Sequence, residues 1–256
     1  MSFDQTQSKS GVLLVGHGTR DAIGTDEFFA LSRLLDQRLG SIPVKPALLE
    51  FQSPTIPEAW KALLDQAVTQ IHVAPLLLFA AGHAKSDIPE VVEQCQLGER
   101  QIPFDQSRPL SRHPAVIELV VRRLNETMNR VGINSESTAV VMVGRGNRDP
   151  CAQTDMRVLS EIVRHRIMVQ NVQTAFYAMA EPSLPTVLER VAKTGNVKHI
   201  IIHPHLLFHG RLFEAIVKQT EDASRNFPNI RFVTSDYLGP DPLIAQAIAD
   251  RVLANA

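Results

Sequence analysis

The amino-acid sequence predicts an α/β fold of two tandem units, each a parallel sheet flanked by helices. Short apolar runs alternate with longer helical patterns along the chain, which is the signature of parallel sheets. The pattern restarts near Ala139, where GVLLVGHGTRD (residues 11–21) returns as AVVMVGRGNRD (residues 139–149), with six of eleven residues identical at an offset of 128. The same offset places Pro54, Pro57, Gly82, Ile88, Leu110 and Pro114 on Pro182, Pro185, Gly210, Ile216, Leu238 and Pro242. Internal duplication is the simplest explanation.

The elements of the first half follow from hydrophobic periodicity. VLLV (residues 12–15), VKPALLE (residues 44–50) and IHVAPLLLF (residues 71–79) are predicted strands. Between them we predict a helix over about 25–39 and a second helix after Pro54.

The second half repeats this order of elements. AVVMV (residues 139–143), NVQTAFYAM (residues 171–179) and VKHIIIHPHLLF (residues 197–208) are predicted strands. Helices are predicted over about 149–166 and after Pro182. The polar stretch GINSES (residues 132–137) marks the boundary, giving predicted domains 1–131 and 138–256.

Composition and charge exclude several classes of protein. With 44% hydrophobic and 21% charged residues the chain is ordinary for a globular protein, and its net charge of −1 argues against a nucleic-acid or membrane partner. No apolar run is long enough for a signal peptide or a membrane helix, so we expect a cytoplasmic protein. Cys95 and Cys151 form no CxxC pair, which disfavours a thiolate metal cluster.

Three polar residues of the first half occur at predicted strand ends. His17 follows the first strand, Glu50 ends the second and His83 follows the third. Because ligands of open parallel sheets bind beyond the carboxyl ends of the strands, we expect these side chains on adjacent loops. Two imidazoles and one carboxylate can hold a divalent metal with open coordination positions. A lone histidine in such a loop is more often a hydrogen-bonded turn residue, so the three residues carry the hypothesis only together.

The second half lacks all three residues. The positions of His17, Glu50 and His83 are occupied by Arg145, Ala178 and Arg211, once one residue is omitted near Phe208. Joint loss indicates one functional unit that is needed once. Two new guanidiniums suit carboxylates or phosphates rather than a metal. We therefore predict a metal site in the first half and an anion-binding site in the second.

GHGTR, Glu50 before SPTIPEA, and LLLFAAGHAKSDIPE resemble the sirohydrochlorin chelatase family of the CbiX and SirB type, in its long fused form. The resemblance spans nearly the whole chain and implies two flavodoxin-like domains with a cleft between them. It also implies that His17 and His83 are metal-binding and catalytic, with Glu50 as a metal ligand or acid–base partner. The chain lacks the His-rich tail and the iron–sulfur cysteine motif of some cobalt-associated members, which leaves the metal open.

The activity implied by the resemblance is that of an ATP-independent lyase of cobalamin or siroheme biosynthesis. It would insert Co²⁺ or Fe²⁺ into sirohydrochlorin, with the metal as a substrate and no prosthetic group. Imidazole suits both metals and titrates near neutral pH, so it can deliver metal or accept protons. The substrate carboxylates would pair with Arg145 and Arg211, and with Arg20, Arg148 and Lys85 near the same loops. Alternatively, Arg20 and Arg148 anchor a turn in both halves.

Two other functions stay open at this point. A His₂Glu metal-dependent hydrolase would need a metal-bound water and a separate general base, and no HExxH-type element is present. A two-lobed protein that binds a tetrapyrrole or another anion without catalysis would not require the His₂Glu set. A nucleotide-binding enzyme is disfavoured, because GHG matches neither GxGxxG nor the P-loop pattern.

A second group of histidines lies near the carboxyl end of the last predicted strand. His203, His205 and His209 lie in IIHPHLLFHG, where His203 and His205 alternate onto one face of the strand. They are either accessory contacts to metal or substrate, or residues that line a cleft or form hydrogen bonds in the core. The pattern assigns them no role.

Overall fold

The computed structural model describes residues 9–79, 87–98 and 100–254. Two four-stranded sheets, with every strand parallel to its neighbours, confirm the predicted α/β class. The first eight elements are β1 (Ser10–Gly16), α1 (Ala22–Leu39), β2 (Val44–Leu48), α2 (Ile56–Leu64), β3 (Gln70–Pro75), α3 (Ile88–Gly98), β4 (Phe104–Gln106) and α4 (Pro114–Val131). The next eight are β5 (Thr138–Gly144), α5 (Pro150–Arg164), β6 (Asn171–Phe176), α6 (Leu184–Lys193), β7 (His199–Pro204), α7 (Arg211–Asn226), β8 (Arg231–Thr234) and α8 (Pro242–Leu253).

The two sheets share one topology. Their strand orders are β2-β1-β3-β4 and β6-β5-β7-β8. Gly16 pairs with Leu48 in the first sheet, and Gly144 pairs with Phe176 in the second, so the 128-residue offset holds in the backbone. By contrast, Val15 pairs with Pro75 and Val143 with Pro204, so β7 lies one residue later than the offset predicts.

Two compact units are distinguished by the contacts within the chain. The first comprises Met1–Leu110 and Ala245–Ala256, and the second comprises Ser111–Ile244. Helix α4 therefore groups with the second sheet, and most of α8 groups with the first. The domain boundaries predicted from the sequence, 1–131 and 138–256, follow the repeat and stay a prediction.

Each unit has a cluster of buried apolar residues where α2 or α6 packs on one face of its sheet. In the first unit, Leu13 and Val73 pack with Trp60 and Leu63 of α2, and the Trp60 ring meets Phe104 edge to face at 6.0 Å. In the second unit, a corresponding cluster is built from β5, β6, β7 and α6. The central strands β1 and β5 are buried almost throughout, as parallel strands covered on both faces are. Each fully buried aliphatic side chain stabilises the folded state by about 1.5–3 kcal/mol relative to the same side chain exposed to water.

Local signals in the sequence explain where several helices begin and end. Thr55 and Glu58 form a capping box at the start of α2, which satisfies backbone N–H groups that the helix cannot pair. Hydrogen bonds from Thr55 lower the pKa of Glu58. Gly132 adopts a left-handed conformation at the end of α4, and a short 3-10 turn (Ser135–Ser137) leads into β5. Among the described residues, no helix is long and apolar enough to cross a membrane.

Candidate functional site

The loop after β1 lies directly against the segment after β2. The N–H of Leu49 donates to the carbonyl of Gly16 at 2.9 Å, and that of Glu50 donates to the carbonyl of His17 at 3.0 Å. Gly18 has φ +92°, and a Cβ there would lie 2.1 Å from the Glu50 carbonyl oxygen. Only glycine fits this contact. The structure therefore brings the backbones of His17 and Glu50 side by side.

The exposed ring of Phe51 contacts two of the predicted site residues. The His17 imidazole stacks on Phe51, with ring centroids 6.5 Å apart and an interplanar angle of 19°. The guanidinium carbon of Arg20 lies 4.9 Å from the centroid of the same ring. Phe51 itself has φ +70°, a conformation that is rare for an aromatic residue. The ring orients both His17 and Arg20, and sequence reasoning missed it.

Glu50 is exposed and His17 is half-buried. Glu50 lies two residues beyond the end of β2, whereas the sequence predicted that it ends the strand. The Glu50 carboxylate is therefore open to solvent, and the His17 imidazole is open in part. His83 and Lys85 lie outside the described residues, so their predicted roles stay predictions.

The second unit repeats the same pair of loops without the ligands. The N–H of Tyr177 donates to the carbonyl of Gly144 at 2.9 Å, and that of Ala178 donates to the carbonyl of Arg145 at 3.0 Å. Gly146 has φ +87°, and a Cβ there would lie 1.6 Å from the Ala178 carbonyl oxygen. The backbone is thus conserved between the halves, while the side chains that could bind a metal are replaced.

The turns that contain Arg20 and Arg148 are held by other side chains. Thr19 Oγ1 accepts a hydrogen bond from the N–H of Asp21 at 3.1 Å, and Asp21 caps α1 through the N–H of Gly24. In the second unit, Asn147 and Asp149 make the corresponding bonds. Arg20 instead lies on the Phe51 ring, and Arg148 is exposed. Within the part of the chain that the structure describes, neither guanidinium makes a hydrogen bond that anchors its turn.

The two arginines that replace the histidines are exposed. Arg145 follows β5, and Arg211 is the first residue of α7. Neither makes a hydrogen bond or an ion pair with the part of the chain that the structure describes. The N-cap residue of α7 is Gly210, which has no side chain to accept a hydrogen bond from the first turn of the helix.

His203 and His205 are core residues rather than surface ligands. Their exposed fractions are 0% and 2%, and His203 Nδ1 lies 2.8 Å from Ser235 Oγ. Burial lowers the pKa of His203 to about 3, with smaller effects from His205 and Arg123, and burial lowers the pKa of His205 to about 4. Both imidazoles are therefore neutral at neutral pH. In the first unit, the backbone positions of His203 and His205 are occupied by apolar residues.

Comparison with known proteins also divides the chain into its two repeats. The CbiX family model matches residues 11–127 and again residues 139–255. A sirohydrochlorin ferrochelatase from Priestia megaterium is 31% identical over 242 residues, covering 94% of this chain and 88% of the relative. A sirohydrochlorin cobaltochelatase from the same organism is 29% identical over 240 residues, covering 94% and 78%. The solved structure of SirB from Bacillus subtilis with Fe³⁺ aligns with a TM-score of 0.87 at 29% identity, covering 97% of this chain and 96% of that one.

Proposed function

The chain belongs to the CbiX family, and on this premise we propose that it is a sirohydrochlorin chelatase, a lyase that inserts Co²⁺ or Fe²⁺ into the tetrapyrrole. The observation that carries the proposal is the pair of matched loops. In the first unit they bear His17 and Glu50, and in the second they bear Arg145 and Ala178 on the same backbone. The metal is a substrate, and no prosthetic group takes part.

The metal step requires a weak, exchangeable site that also accepts protons. Insertion replaces two pyrrole N–H protons by one divalent ion, so two protons must leave as the metal enters. We assign His17, Glu50 and His83 to this step. The imidazole of His17 is a borderline ligand for Co²⁺ and Fe²⁺, and its contact with Phe51 restricts its orientation. The exposed Glu50 carboxylate can hold the incoming ion or receive a pyrrole proton.

The substrate step requires cations for the carboxylates of the tetrapyrrole. We assign it to Arg145 and Arg211, together with Arg20, Arg148 and Lys85. A guanidinium that lies over an aromatic ring keeps its N–H donors at its edge, so Arg20 can contact Phe51 and bind a carboxylate at once. The exposure of Arg145, Arg148 and Arg211 is consistent with this role.

A titration of metal-free sirohydrochlorin, followed by its absorption spectrum with and without Co²⁺ or Fe²⁺, tests the proposal. Insertion should give the spectrum of the metallated ring at a rate proportional to enzyme concentration. His17→Ala and Glu50→Ala should each remove most of this rate and retain tetrapyrrole binding. His165→Ala is the matched control, because His165 is exposed and its ion pair with Glu161 lies on the surface.

The result also separates the proposal from its two alternatives. A binding protein without catalysis would bind the tetrapyrrole, but would not accelerate the appearance of the metallated spectrum. A His₂Glu hydrolase would bind metal and leave the tetrapyrrole unbound. The cytoplasmic location stays a prediction that cell fractionation tests.

A further inference from the structure

Three aromatic side chains of the second unit lie in mutual contact. The rings of Phe213 and Tyr237 meet edge to face at 4.9 Å, and His209 lies 5.7 Å from Phe213 and 6.4 Å from Tyr237. We call His209, Phe213 and Tyr237 the ring cluster. Packing of this kind holds each ring in one orientation, so a ligand that contacts the cluster orders few additional side chains.

The ring cluster lies at the carboxyl edge of the second sheet. His209 follows β7, and Tyr237 follows β8. The N–H of Leu238 donates to the carbonyl of Leu206 at 2.9 Å, which ties the two loops together. Parallel sheets bind ligands at this edge. Arg211, which we assign to a substrate carboxylate, lies between His209 and Phe213 in the sequence.

Each ring of the cluster is half-buried rather than enclosed in the core. Phe213 also lines an open groove along α7, so its ring is reachable from solvent. The other residues that line this groove are Glu214, Val217, Lys218, Glu221 and Arg225. The cluster thus forms a preformed aromatic surface, and Arg211 lies two residues from both His209 and Phe213 in the sequence.

The sequence repeat shows that this surface is specific to the second half. His209 aligns with the Ala80–Ala81 pair, Phe213 with Lys85 and Tyr237 with Pro109. The offset is secure near Tyr237, because the N–H groups of Ser107 and Ser235 make matching bonds to β3 and β7. All three rings therefore occur in the half that lacks the metal ligands, as Arg145 and Arg211 do.

We propose that the ring cluster contacts the flat face of the tetrapyrrole, while Arg211 binds a carboxylate at its periphery. The inference rests on the proposed function, because the substrate must combine a conjugated ring with an acidic edge. Arginines alone cannot distinguish a tetrapyrrole from any small polycarboxylate. The ring cluster supplies this distinction and is therefore a determinant of specificity.

The test is a titration of the full-length protein with metal-free sirohydrochlorin, read as Kd and as the displacement of its main absorption band. The double variant Phe213→Leu/Tyr237→Leu should raise Kd about tenfold and reduce the band displacement, because two ring contacts are lost. Tricarballylate is a polycarboxylate without a macrocycle. It should bind the wild type and the double variant with the same Kd, because it contacts Arg211 and not the rings. Phe227→Leu is the control, since Phe227 is a half-buried ring at the opposite end of α7, about 20 Å along the helix.

Unchanged sirohydrochlorin affinity and band displacement in a folded double variant would overturn the inference while leaving chelation intact. If the double variant loses its circular dichroism, His209→Leu and Tyr237→Phe decide the question. His209→Leu should weaken sirohydrochlorin binding, whereas Tyr237→Phe should not. Equal affinities of the wild type and His209→Leu for sirohydrochlorin would overturn the inference. Absence of sirohydrochlorin binding by the wild type would instead refute the proposed function itself.

Discussion

Replacing Gly18 by alanine should separate the loop that carries His17 from the loop that carries Glu50. The new Cβ would lie 2.1 Å from the Glu50 carbonyl oxygen and 3.1 Å from its carbonyl carbon, at φ +92°. These atoms belong to the backbone, so no side-chain rotation relieves the clash. Alanine at positive φ costs about 1–2 kcal/mol, and overpacking costs about 1–3 kcal/mol more. We expect a total loss of about 2–5 kcal/mol in the free energy of unfolding.

Gly132→Ala isolates the conformational part of this loss. Gly132 has φ +63° and ψ +42°, in the left-handed region, and a Cβ there would meet no atom within 4 Å. It should therefore show only the cost of positive φ, about 1–2 kcal/mol. The difference between the Gly18 and Gly132 variants in urea denaturation measures the contact between the two loops.

Gly146→Ala separates stability from function. Its Cβ would lie 1.6 Å from the Ala178 carbonyl oxygen, so its effect on unfolding should match that of Gly18→Ala. Co²⁺ affinity, measured by isothermal titration calorimetry below the unfolding transition, should fall only in Gly18→Ala. If Gly18→Ala binds Co²⁺ as the wild type does, or is no less stable than Gly132→Ala, the reasoning about the loop contact is wrong.

Three further perturbations probe other parts of the structure. His205 is neutral in the folded protein and protonates more readily in the unfolded chain. Its contribution to stability is therefore present above pH 6.5 and is lost as the pH falls toward 4. His205→Leu, which installs the residue found at the equivalent Leu76, should remove about 2 kcal/mol of the stability difference between pH 7 and pH 5, as measured by urea denaturation. Arg145→Ala should weaken sirohydrochlorin binding about fivefold, and less at high salt, because Arg145 is exposed and its ion pairs are screened; an effect that is independent of salt would contradict a charge contact. Phe51→Gly should raise the free energy of unfolding by up to about 1 kcal/mol by relieving its positive φ, yet lower Co²⁺ affinity several-fold by releasing His17; a parallel loss of both quantities would contradict the positioning role.

The sequence was most informative where one pattern recurred in both halves. The predicted helix over about 25–39 is observed as Ala22–Leu39, and that over about 149–166 as Pro150–Arg164. The long apolar segments that were predicted as third strands end earlier, at Pro75 and Pro204. In each case the chain turns at the next residues, where the N–H of Leu77 or Leu206 bonds back to the proline carbonyl.

Other features have no local signal in the sequence. The edge strands β4 and β8 contain only three and four residues, and neither has a fully buried residue, so no alternating apolar pattern marks them. The sequence does not predict that α4 groups with the second sheet, because the repeat gives α4 and α8 equivalent positions. Phe51 was missed because a positive φ cannot be read from a phenylalanine in a loop.

The same limits apply to the candidate site. The duplication identified His17 and Glu50 as candidate site residues. The hydrogen bonds between their loops show that their backbones lie side by side. The burial of His203 and His205 could not be read from their alternation, because either face of a parallel strand can be covered.

A Co²⁺ titration of the wild type, His17→Ala and Arg145→Ala tests the division between the two halves most directly. The two substitutions occupy equivalent backbone positions, so a general effect on folding would alter both alike. We predict that Co²⁺ binding is lost or strongly weakened in His17→Ala and unchanged in Arg145→Ala. Retention of wild-type affinity in His17→Ala, or an equal loss in both variants, would contradict a metal site that is confined to the first half.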